Sequence, residues 1–342
     1  MENLIIKNFG PIINAQIQLK HINIFIGSTS SGKSTVAKLA TIFKSGQFNT
    51  IDNPFSLFKK LLGNYNIEYT IGNDTYIKYE DQGSLYEIAN ENFSISHKDA
   101  EGIRLNPIYI PAERVFFSTL SQSIFSLISS DVALPKWLID FGAKFEKARS
   151  AIKSFPIDFL HAKYELRDST DYIVLPNETA IKLAQASSGI QSILPLLLVV
   201  QHNTKNTKNG GDDLFVIEEP ELNLYPSSQK DLIEFIIEKV NASQDQLIIT
   251  THSPYLLTSI DNLIQAGNVA AGKPELKTMV EKLVPANQWI NFNNVACYFF
   301  SDGTAKSTLD EDLQSIGPSN IDDVSENLSE TFEKLLTLKY TE

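Results

Sequence analysis

The sequence predicts an α/β fold with a mixed central sheet, an antiparallel β-subdomain and a helical subdomain. Short, almost entirely apolar runs at 23–26, 214–217 and 247–250 indicate strands buried in the centre of a sheet. The last two runs flank a helical segment at 227–240, and this strand–helix–strand spacing is typical of parallel pairing. From 65 to 95, polar and apolar residues alternate around turn signals, which predicts an antiparallel meander.

The other elements are predicted from the same periodicities. A length of 342 residues favours about two domains, or one large α/β unit with an insertion. The patterns predict two strands before residue 20, helices over 115–162, two strands between 164 and 183, a helix over 190–200, a hairpin over 295–308 and an acidic amphipathic helix over 321–336.

Composition limits the classes of protein that the chain can represent. There are 29 Lys and Arg residues against 41 Asp and Glu residues, so the formal net charge is −12, and any contact with nucleic acid requires a local basic patch. Cys297 is the only cysteine, which excludes an intrachain disulfide and a thiolate zinc site. The N-terminus lacks a signal-peptide pattern, and the longest apolar runs reach about half of the ~20 residues that a membrane span needs. We therefore expect a cytoplasmic protein with no membrane contact.

A glycine-bounded loop follows the first apolar run and precedes a helical segment. The loop matches the Gly-x4-Gly-Lys-Ser pattern of a phosphate-binding loop from Gly27 to Ser34; a chance serine-rich turn is the alternative. In such loops backbone N–H groups and the helix N-terminus surround phosphate oxygens, the lysine reaches the β- and γ-phosphates, and the serine hydroxyl ligates Mg²⁺. The residues expected to bind the nucleotide are Gly27, Ser30, Ser31, Gly32, Lys33, Ser34 and Thr35.

Two carboxylates follow the apolar strand at 214–217. In a parallel sheet this strand end opens at the same edge as the phosphate-binding loop. Glu218 is then placed to hold the metal shell, and Glu219 is placed to orient or deprotonate an attacking water molecule. A solvated acidic strand end is the alternative interpretation. Ser34 and Glu218 are therefore the candidate Mg²⁺ ligands.

His252 follows the strand at 247–250, so we expect it at the same edge of the sheet, within reach of the γ-phosphate. Together with Lys33 and Glu219 it completes the set of candidate catalytic residues. A further turn, Ser187-Ser188-Gly189, precedes an apolar helix. Such a turn is an ordinary N-cap, but its hydroxyls, N–H groups and helix dipole also suit an anion.

The order of these four elements resembles that of the ATP-binding cassette ATPase superfamily, in particular its RecF/SMC-like and OLD-like soluble branch. The run from Glu218 to Pro226 is similar to that branch's Glu-Glu-Pro-Glu-x-His-Leu-His-Pro segment, with Asn223 and Tyr225 in place of the histidines. The resemblance implies a P-loop ABC-type ATPase head with Ser187–Gln191 as its signature segment. Its expected parts are a first ATPase lobe over 1–114, a helical insertion with the signature over 115–200, the rest of the ATPase core over 201–308 and an acidic helix over 309–342.

The resemblance also implies a mechanism. Two heads would close face to face on two ATP molecules, with Ser187, Ser188 and Gly189 of one subunit completing the site of the other. ATP binding would then drive homodimerisation and hydrolysis would reverse it, so each cycle is a conformational switch. A glutamine in the Mg²⁺ shell is implied as well, and Gln122 is a candidate for it.

The predicted head shows no long coiled coil, no Toprim nuclease domain and no membrane span. It resembles the ATPase subunits of bacterial anti-phage systems such as Septu and PARIS, which implies a sensor that controls a separately encoded effector, a nuclease or toxin. A RecF-like DNA repair or maintenance ATPase that binds DNA directly is the alternative, and a nucleotide-binding scaffold without turnover is a third hypothesis. The candidate basic patch for DNA consists of Lys144, Lys147, Arg149 and Lys153.

Overall fold

The protein is a mixed α/β structure in a computed structural model that describes residues 2–48, 53–81, 83–97, 105–120, 134–206, 213–317 and 320–340. The described strands are β1 (Glu2–Phe9), β2 (Ile12–Leu19), β3 (Ile22–Gly27), β4 (Tyr76–Glu80), β5 (Ser84–Ala89), β6 (Asn92–His97), β7 (Asn106–Ile110), β8 (Ser154–Ile157), β9 (Ala162–Arg167), β10 (Thr170–Val174), β11 (Ala180–Lys182), β12 (Asp213–Glu218), β13 (Gln246–Thr251), β14 (Val295–Ser301), β15 (Thr304–Ser307), β16 (Leu309–Asp310) and β17 (Ser315–Ile316). The described α-helices are α1 (Lys33–Lys44), α2 (Pro54–Asn64), α3 (Val115–Leu120), α4 (Lys136–Ala151), α5 (Ser188–Asn206), α6 (Pro226–Ser243), α7 (Pro254–Gly272), α8 (Lys277–Leu283) and α9 (Asn320–Tyr340).

The main sheet has eleven strands in the order β6-β5-β4-β1-β2-β15-β14-β3-β13-β12-β7. From β14 to β7 all neighbours are parallel, whereas β1, β2 and β4 to β6 form an antiparallel extension. This arrangement confirms the predicted α/β class, the mixed central sheet, the parallel strand–helix–strand unit and the antiparallel meander. The expected hairpin over 295–308 is also present, as β14 and β15.

The parallel register aligns the carboxyl ends of three central strands. Glu218 of β12 lies opposite Thr250 of β13, and Thr251 of β13 lies opposite Ile26 of β3. The loops that follow these strands therefore leave the sheet at one edge, side by side. This edge carries the candidate active site.

Both faces of the central strands are buried, which explains why their sequences are nearly continuously apolar. Ile24 and Ile249 face a core shared with α5, α6 and α7. Phe25 and Ile248 face the opposite core, which contains α1 and the antiparallel strands. The helices on either side hold the strand ends in place.

An aromatic cluster joins the antiparallel extension to α1 and α2. The ring of Phe43 stacks on Tyr79 at 5.2 Å and on Phe58 at 5.8 Å, and Phe48 meets Phe93 edge-on at 4.9 Å. Aromatic pairs at these separations add to the stabilisation that comes from burying their area. The cluster therefore fixes the meander against the helix that carries the phosphate-binding loop.

A second, four-stranded antiparallel sheet, in the order β11-β10-β9-β8, lies within 154–182. The sequence predicts helices up to residue 162 and two strands after it, so β8 and a third later strand were missed. Pro156 lies inside β8, and proline is tolerated there because β8 is an edge strand. β11 has only three residues, too few to show an alternation.

The C-terminal helix α9 confirms the helix expected over 321–336 and continues to Tyr340. Its side chains Phe332, Leu335, Leu338 and Tyr340 are between 60% and 73% exposed. Within the described ranges, no helix is both long enough and apolar enough to cross a membrane.

A buried polar cluster connects α1 to the sheet and provides a test of the fold. Lys44, 3% exposed, donates hydrogen bonds to Glu2 and Gln246 at 2.6 Å, and Tyr79 donates to Glu2 at 2.5 Å.

Lys44→Met leaves the Glu2 carboxylate without its cation, so we expect the free energy of unfolding in urea to fall by about 1–3 kcal/mol. Lys60→Met, on the exposed side of α2, should change it by less than about 0.5 kcal/mol. Equal effects of the two substitutions would contradict a stabilising role for the cluster.

Candidate active site

The phosphate-binding loop connects β3 to α1. Gly27 has a φ of 147°, and a Cβ atom there would lie 2.1 Å from the carbonyl oxygen of Phe300 in β14. Gly32, immediately before α1, has a φ of 102°. Both positions lie in the backbone region that favours glycine. The two glycines of the motif are thus required by the path of the loop.

Lys33 is the first residue of α1 and is only 5% exposed. Its ammonium group donates to the carbonyl oxygens of Gly27 at 2.9 Å and Ser28 at 2.7 Å, so the side chain folds back along the loop. Ser31 donates to the same Ser28 oxygen at 2.8 Å. The lysine is therefore held beside the backbone that would contact phosphate.

Burial lowers the pKa of Lys33 to about 8, although the carboxylates of Glu219, Glu221 and Glu218 act to raise it. The register of β3, β13 and β12 brings these carboxylates to the same edge of the sheet as the phosphate-binding loop, with β13 between β12 and β3. Among the other loop residues, Ser30 is exposed, Ser34 is half-buried and Thr35 is buried. Phosphate would reach the exposed side of this loop.

The Glu218 side chain fits the metal role expected of it. The residue is 7% exposed, and its Oε1 atom forms no hydrogen bond of ordinary geometry among the described residues, although the buried Tyr109 hydroxyl lies close enough to interact with the carboxylate. A buried carboxylate with so few donors suits a cation or a cation-bound water. Within the same part of the chain no three His, Cys, Asp or Glu side chains converge as a metal cage. The donor set suits a partly hydrated Mg²⁺ that also binds phosphate oxygens, with Ser34 as the other candidate ligand.

Glu219 adopts a left-handed backbone conformation with a φ of 42°. Its N–H donates to the Thr250 carbonyl at 2.8 Å, so the chain turns sharply while still attached to β13. The Glu219 carboxylate is about one-third exposed and lies 3.5 Å from the Nε2 atom of His252. These two candidate catalytic residues are therefore neighbours, as expected. Strained backbone of this kind is often found at functional sites.

The Glu221 carboxylate holds the backbone of His252 in place, a role that the sequence did not reveal. Its Oε1 atom accepts hydrogen bonds from the Thr251 hydroxyl at 2.7 Å and from the His252 backbone N–H at 2.8 Å. Ser253 caps α7 and donates to Gln229 of α6 at 2.5 Å. The histidine loop is thus tied to the segment that follows β12.

Arg114 is the main residue that sequence reasoning missed. It is fully buried, and its guanidinium donates to the carbonyl oxygens of Pro111 and Glu218 at 2.6 Å and of Glu219 at 2.8 Å. The same group donates to the carbonyl of Ser192 in α5 at 3.1 Å and contacts its hydroxyl at 3.5 Å. Burial lowers the pKa of Arg114 to about 10, against the opposing effect of nearby carboxylates, so the group is a cation at neutral pH.

The signature segment does not join the phosphate-binding loop within one chain. Ser188 begins α5, the Ser187 hydroxyl accepts from the Ile190 N–H at 3.4 Å, and both serines are exposed. A Cβ atom on Gly189 would lie 2.8 Å from the Asn223 carbonyl oxygen, so this segment packs against the chain after β12. In the part of the chain that the structure describes, none of its hydrogen bonds reaches residues 27–35.

Two sequence-based expectations cannot be compared with the structure. Gln122, the candidate glutamine of the metal shell, lies outside the described residues, as does the part of the predicted helical region 115–162 that falls between 121 and 133.

A glycine-bounded loop beside two glutamates and a histidine, at the carboxyl edge of a parallel sheet, is an arrangement typical of P-loop nucleotide sites. Residues 114–257 match the family model of the AAA ATPase domain. The matched region is less than half of the chain and includes the signature segment, Glu218, Glu219 and His252, so this part of the chain is similar to that domain. No curated protein matches the sequence.

Solved structures with similar folds include heads of SMC proteins and an ABC transporter cassette. The SMC head domain from Thermotoga maritima is 12% identical with a TM-score of 0.43, and the alignment covers 89% of this chain and 97% of that one. The Smc head with an extended coiled coil, bound to the C-terminal domain of ScpA and derived from Pyrococcus furiosus, is 12% identical with a TM-score of 0.42, covering 97% and 100%. The ATP-binding cassette of an ABC transporter in its ADP conformation is 15% identical with a TM-score of 0.38, covering 92% and 93%.

The Arg114 hydrogen bonds predict a large effect from a substitution that keeps the charge. Arg114→Lys loses the planar fork and leaves several of the carbonyls of Pro111, Glu218 and Glu219 without a donor. We expect the free energy of unfolding in urea to fall by about 2–4 kcal/mol. Arg167→Lys, at an exposed arginine on β9, should change it by less than about 0.5 kcal/mol. A loss below 1 kcal/mol for Arg114→Lys would show that the network is dispensable.

The lowered pKa of Lys33 predicts pH-dependent nucleotide binding. Below pH 8 the ammonium is charged and ready for phosphate, whereas above pH 8 the nucleotide-free protein must first take up a proton. Affinity for Mg-ADP should therefore fall about tenfold from pH 7 to pH 9, with uptake of about one proton on binding at pH 9. Calorimetry in buffers of different ionisation enthalpy measures both quantities. Lys33→Arg, which stays charged, should remove the dependence, and an unchanged slope in that variant would refute this cause.

Proposed function

We propose that the protein binds and hydrolyses ATP and uses this cycle as a dimerisation switch. The observation that carries the proposal is the assembly of Lys33, Glu219 and His252 at one sheet edge, with the charges of the β12 carboxylates acting directly on Lys33. A structural loop would not need a buried cation, a buried carboxylate with few hydrogen-bond donors and a strained glutamate together. The ATPase-class match of residues 114–257 agrees with this assignment.

Each residue has a distinct role in the proposed hydrolysis. The loop N–H groups and Lys33 bind the β- and γ-phosphate oxygens and stabilise the charge that develops there. Ser34 and Glu218 hold Mg²⁺, which supplies further positive charge to the phosphates when bound. Glu219 orients the attacking water and accepts its proton, and His252 donates a hydrogen bond to the γ-phosphate. Arg114 and Glu221 keep these two side chains in position through their backbones.

The proposed dimer is supported by the exposed signature serines. Ser187 and Ser188 begin a helix, face solvent and make no hydrogen bond to the loop of their own chain in the described residues. The helix N-terminus suits a phosphate group, which in this arrangement belongs to the nucleotide of a second copy. Two composite sites would then form across a homodimer, as the motif order implies.

Glu219→Gln separates ATP binding from hydrolysis. Without the carboxylate that accepts the proton, the hydrolysis rate should fall about 100-fold or more while ATP still binds. The variant should therefore accumulate as a dimer in size exclusion with Mg-ATP and remain a monomer without it. Glu238→Gln, on the outer part of α6, should behave as the wild type.

A second substitution tests whether the signature serines form the dimer contact. Adding Ser188→Arg to the Glu219→Gln variant should abolish the ATP-dependent dimer, whereas adding Ser150→Arg on the exposed side of α4 should not. If the Glu219→Gln protein binds ATP with normal affinity but stays monomeric at saturating ATP, the composite site is refuted.

We further propose that the switch is the sensor subunit of an anti-phage system and controls a separately encoded effector protein. The resemblance of the motifs to Septu and PARIS ATPases supports this role, and so does the exposed apolar side of α9, where Leu335 and Leu338 lack cover in the described structure. A protein partner is the occupant expected for such a surface.

Direct DNA binding, as in a RecF-like repair ATPase, draws less support from the basic patch on and after α4. Arg149 is taken up by an ion pair with Asp171 at 2.5 Å and by the Ser169 carbonyl at 2.9 Å. Lys144 is half-buried, which leaves Lys147 and Lys153 as the exposed cations. Two exposed lysines give little counterion release on a duplex.

Co-expression with the neighbouring gene product distinguishes the two roles. Leu335→Glu with Leu338→Glu should abolish co-purification of the effector, whereas Glu330→Lys on the charged side of α9 should not. The isolated chain should show no salt-dependent affinity for duplex DNA with ATP present. Tight, salt-sensitive DNA binding together with no effect of the leucine substitutions would favour the repair role.

A further inference from the structure

A cleft of about 540 Å³ lies away from the phosphate-binding loop, at the edge of the sheet where β7 begins. It is bounded by the C-terminal half of α1, the end of α2, the first residues of β7, and faces of α4 and α5. We call it the Lys144 cleft and define it by Thr41, Tyr65, Asn106, Trp137, Lys144 and Lys147. Its volume falls in the range of small-molecule sites, about 300–1,000 Å³.

The Lys144 cleft carries two cations that form no hydrogen bond or ion pair within the described part of the chain, Lys144 and Lys147. Asp213 and Asp140, which also lines the cleft, act electrostatically on Lys144. These two carboxylates have further partners, since Asp140 pairs with Lys136 and Asp213 accepts from Asn106 at 2.8 Å. Burial lowers the pKa of Lys144, which shows that its ammonium group is partly withdrawn from water. In a chain of net charge −12, two such lysines in one cleft favour an anionic ligand.

One wall of the cleft is aromatic. Tyr109, 5% exposed, meets Tyr65 edge-on at 5.4 Å and Trp137 edge-on at 6.1 Å. The Nε1 atom of Trp137 is buried without a hydrogen-bond partner among the described residues. This N–H is enclosed by the protein, so it is the faces and edges of the aromatic rings that line the cleft.

We propose that the Lys144 cleft binds a nucleoside monophosphate, with the phosphate at Lys144 and Lys147 and the base against Tyr65 and Trp137. A base offers a flat π-face to these rings. The cleft excludes a duplex, because Lys144 lies inside it and Arg149 is paired elsewhere. This site is separate from the ATP site, since Lys33 and Thr41 lie at opposite ends of α1.

Tryptophan fluorescence isolates the proposed site. The chain has two tryptophans, and Trp289→Phe leaves Trp137 as the single reporter. In this background AMP should produce a saturable change in fluorescence. Adenosine and inorganic phosphate should each bind at least tenfold more weakly, because each engages only one half of the cleft. Phosphate binding as tightly as AMP, or no change in fluorescence with AMP, would overturn the proposal.

Lysine variants in the same background test the charge contact. Lys144→Gln should weaken AMP binding at least tenfold, and Lys153→Gln, at an exposed lysine outside the cleft, should leave it unchanged. Equal affinities in the two variants would refute the cleft. Lys33→Ala removes the phosphate-loop cation, and the AMP response should persist in it. Loss of the response in Lys33→Ala would show that AMP acts through the ATP site instead, and would leave the proposed ATPase function standing.

Discussion

The register in which the parallel strands β3, β13 and β12 pair is the constraint on which the candidate site depends. Because Glu218 lies opposite Thr250 and Thr251 lies opposite Ile26, the loops after β12, β13 and β3 begin side by side. A slip of one residue in β13 would turn Ile248 and Ile249 to the wrong faces and disrupt both cores. The burial of each strand on two sides thus fixes the catalytic geometry as well as the fold.

Placing three carboxylates at this edge creates a repulsion that the structure must offset. Glu218, Glu219 and Glu221 lie within electrostatic range of only two buried cations in the described site, Lys33 and Arg114. Lys33 donates to the carbonyls of the phosphate-binding loop, whereas Arg114 satisfies the backbone behind the glutamates and reaches α5. The same guanidinium therefore joins the end of the strand that carries Glu218 to the helix that begins at the signature segment.

The site residues that follow strands could be predicted from the sequence. An apolar run that ends in polar residues marks both the strand and the start of the loop after it. Arg114 and Glu221 could not be assigned in this way. Most of their partners are backbone atoms, which leave no pattern in the sequence. The Lys144 cleft was hidden for a related reason, since its walls come from five elements that are distant along the chain. The edge strand β8 was missed because Pro156 is atypical of strands.

The position of β14 and β15 has a consequence for biosynthesis. These strands lie between β2 and β3, so two neighbours in sequence are separated in the sheet by a hairpin that is synthesised only after residues 28–294. Phe300 pairs with Gly27 and supports the first turn of the phosphate-binding loop. At about 5–20 residues per second a ribosome adds Phe300 on the order of tens of seconds after Gly27. Until Phe300 has been added, the nascent chain therefore carries a complete phosphate-loop sequence that lacks its supporting strand.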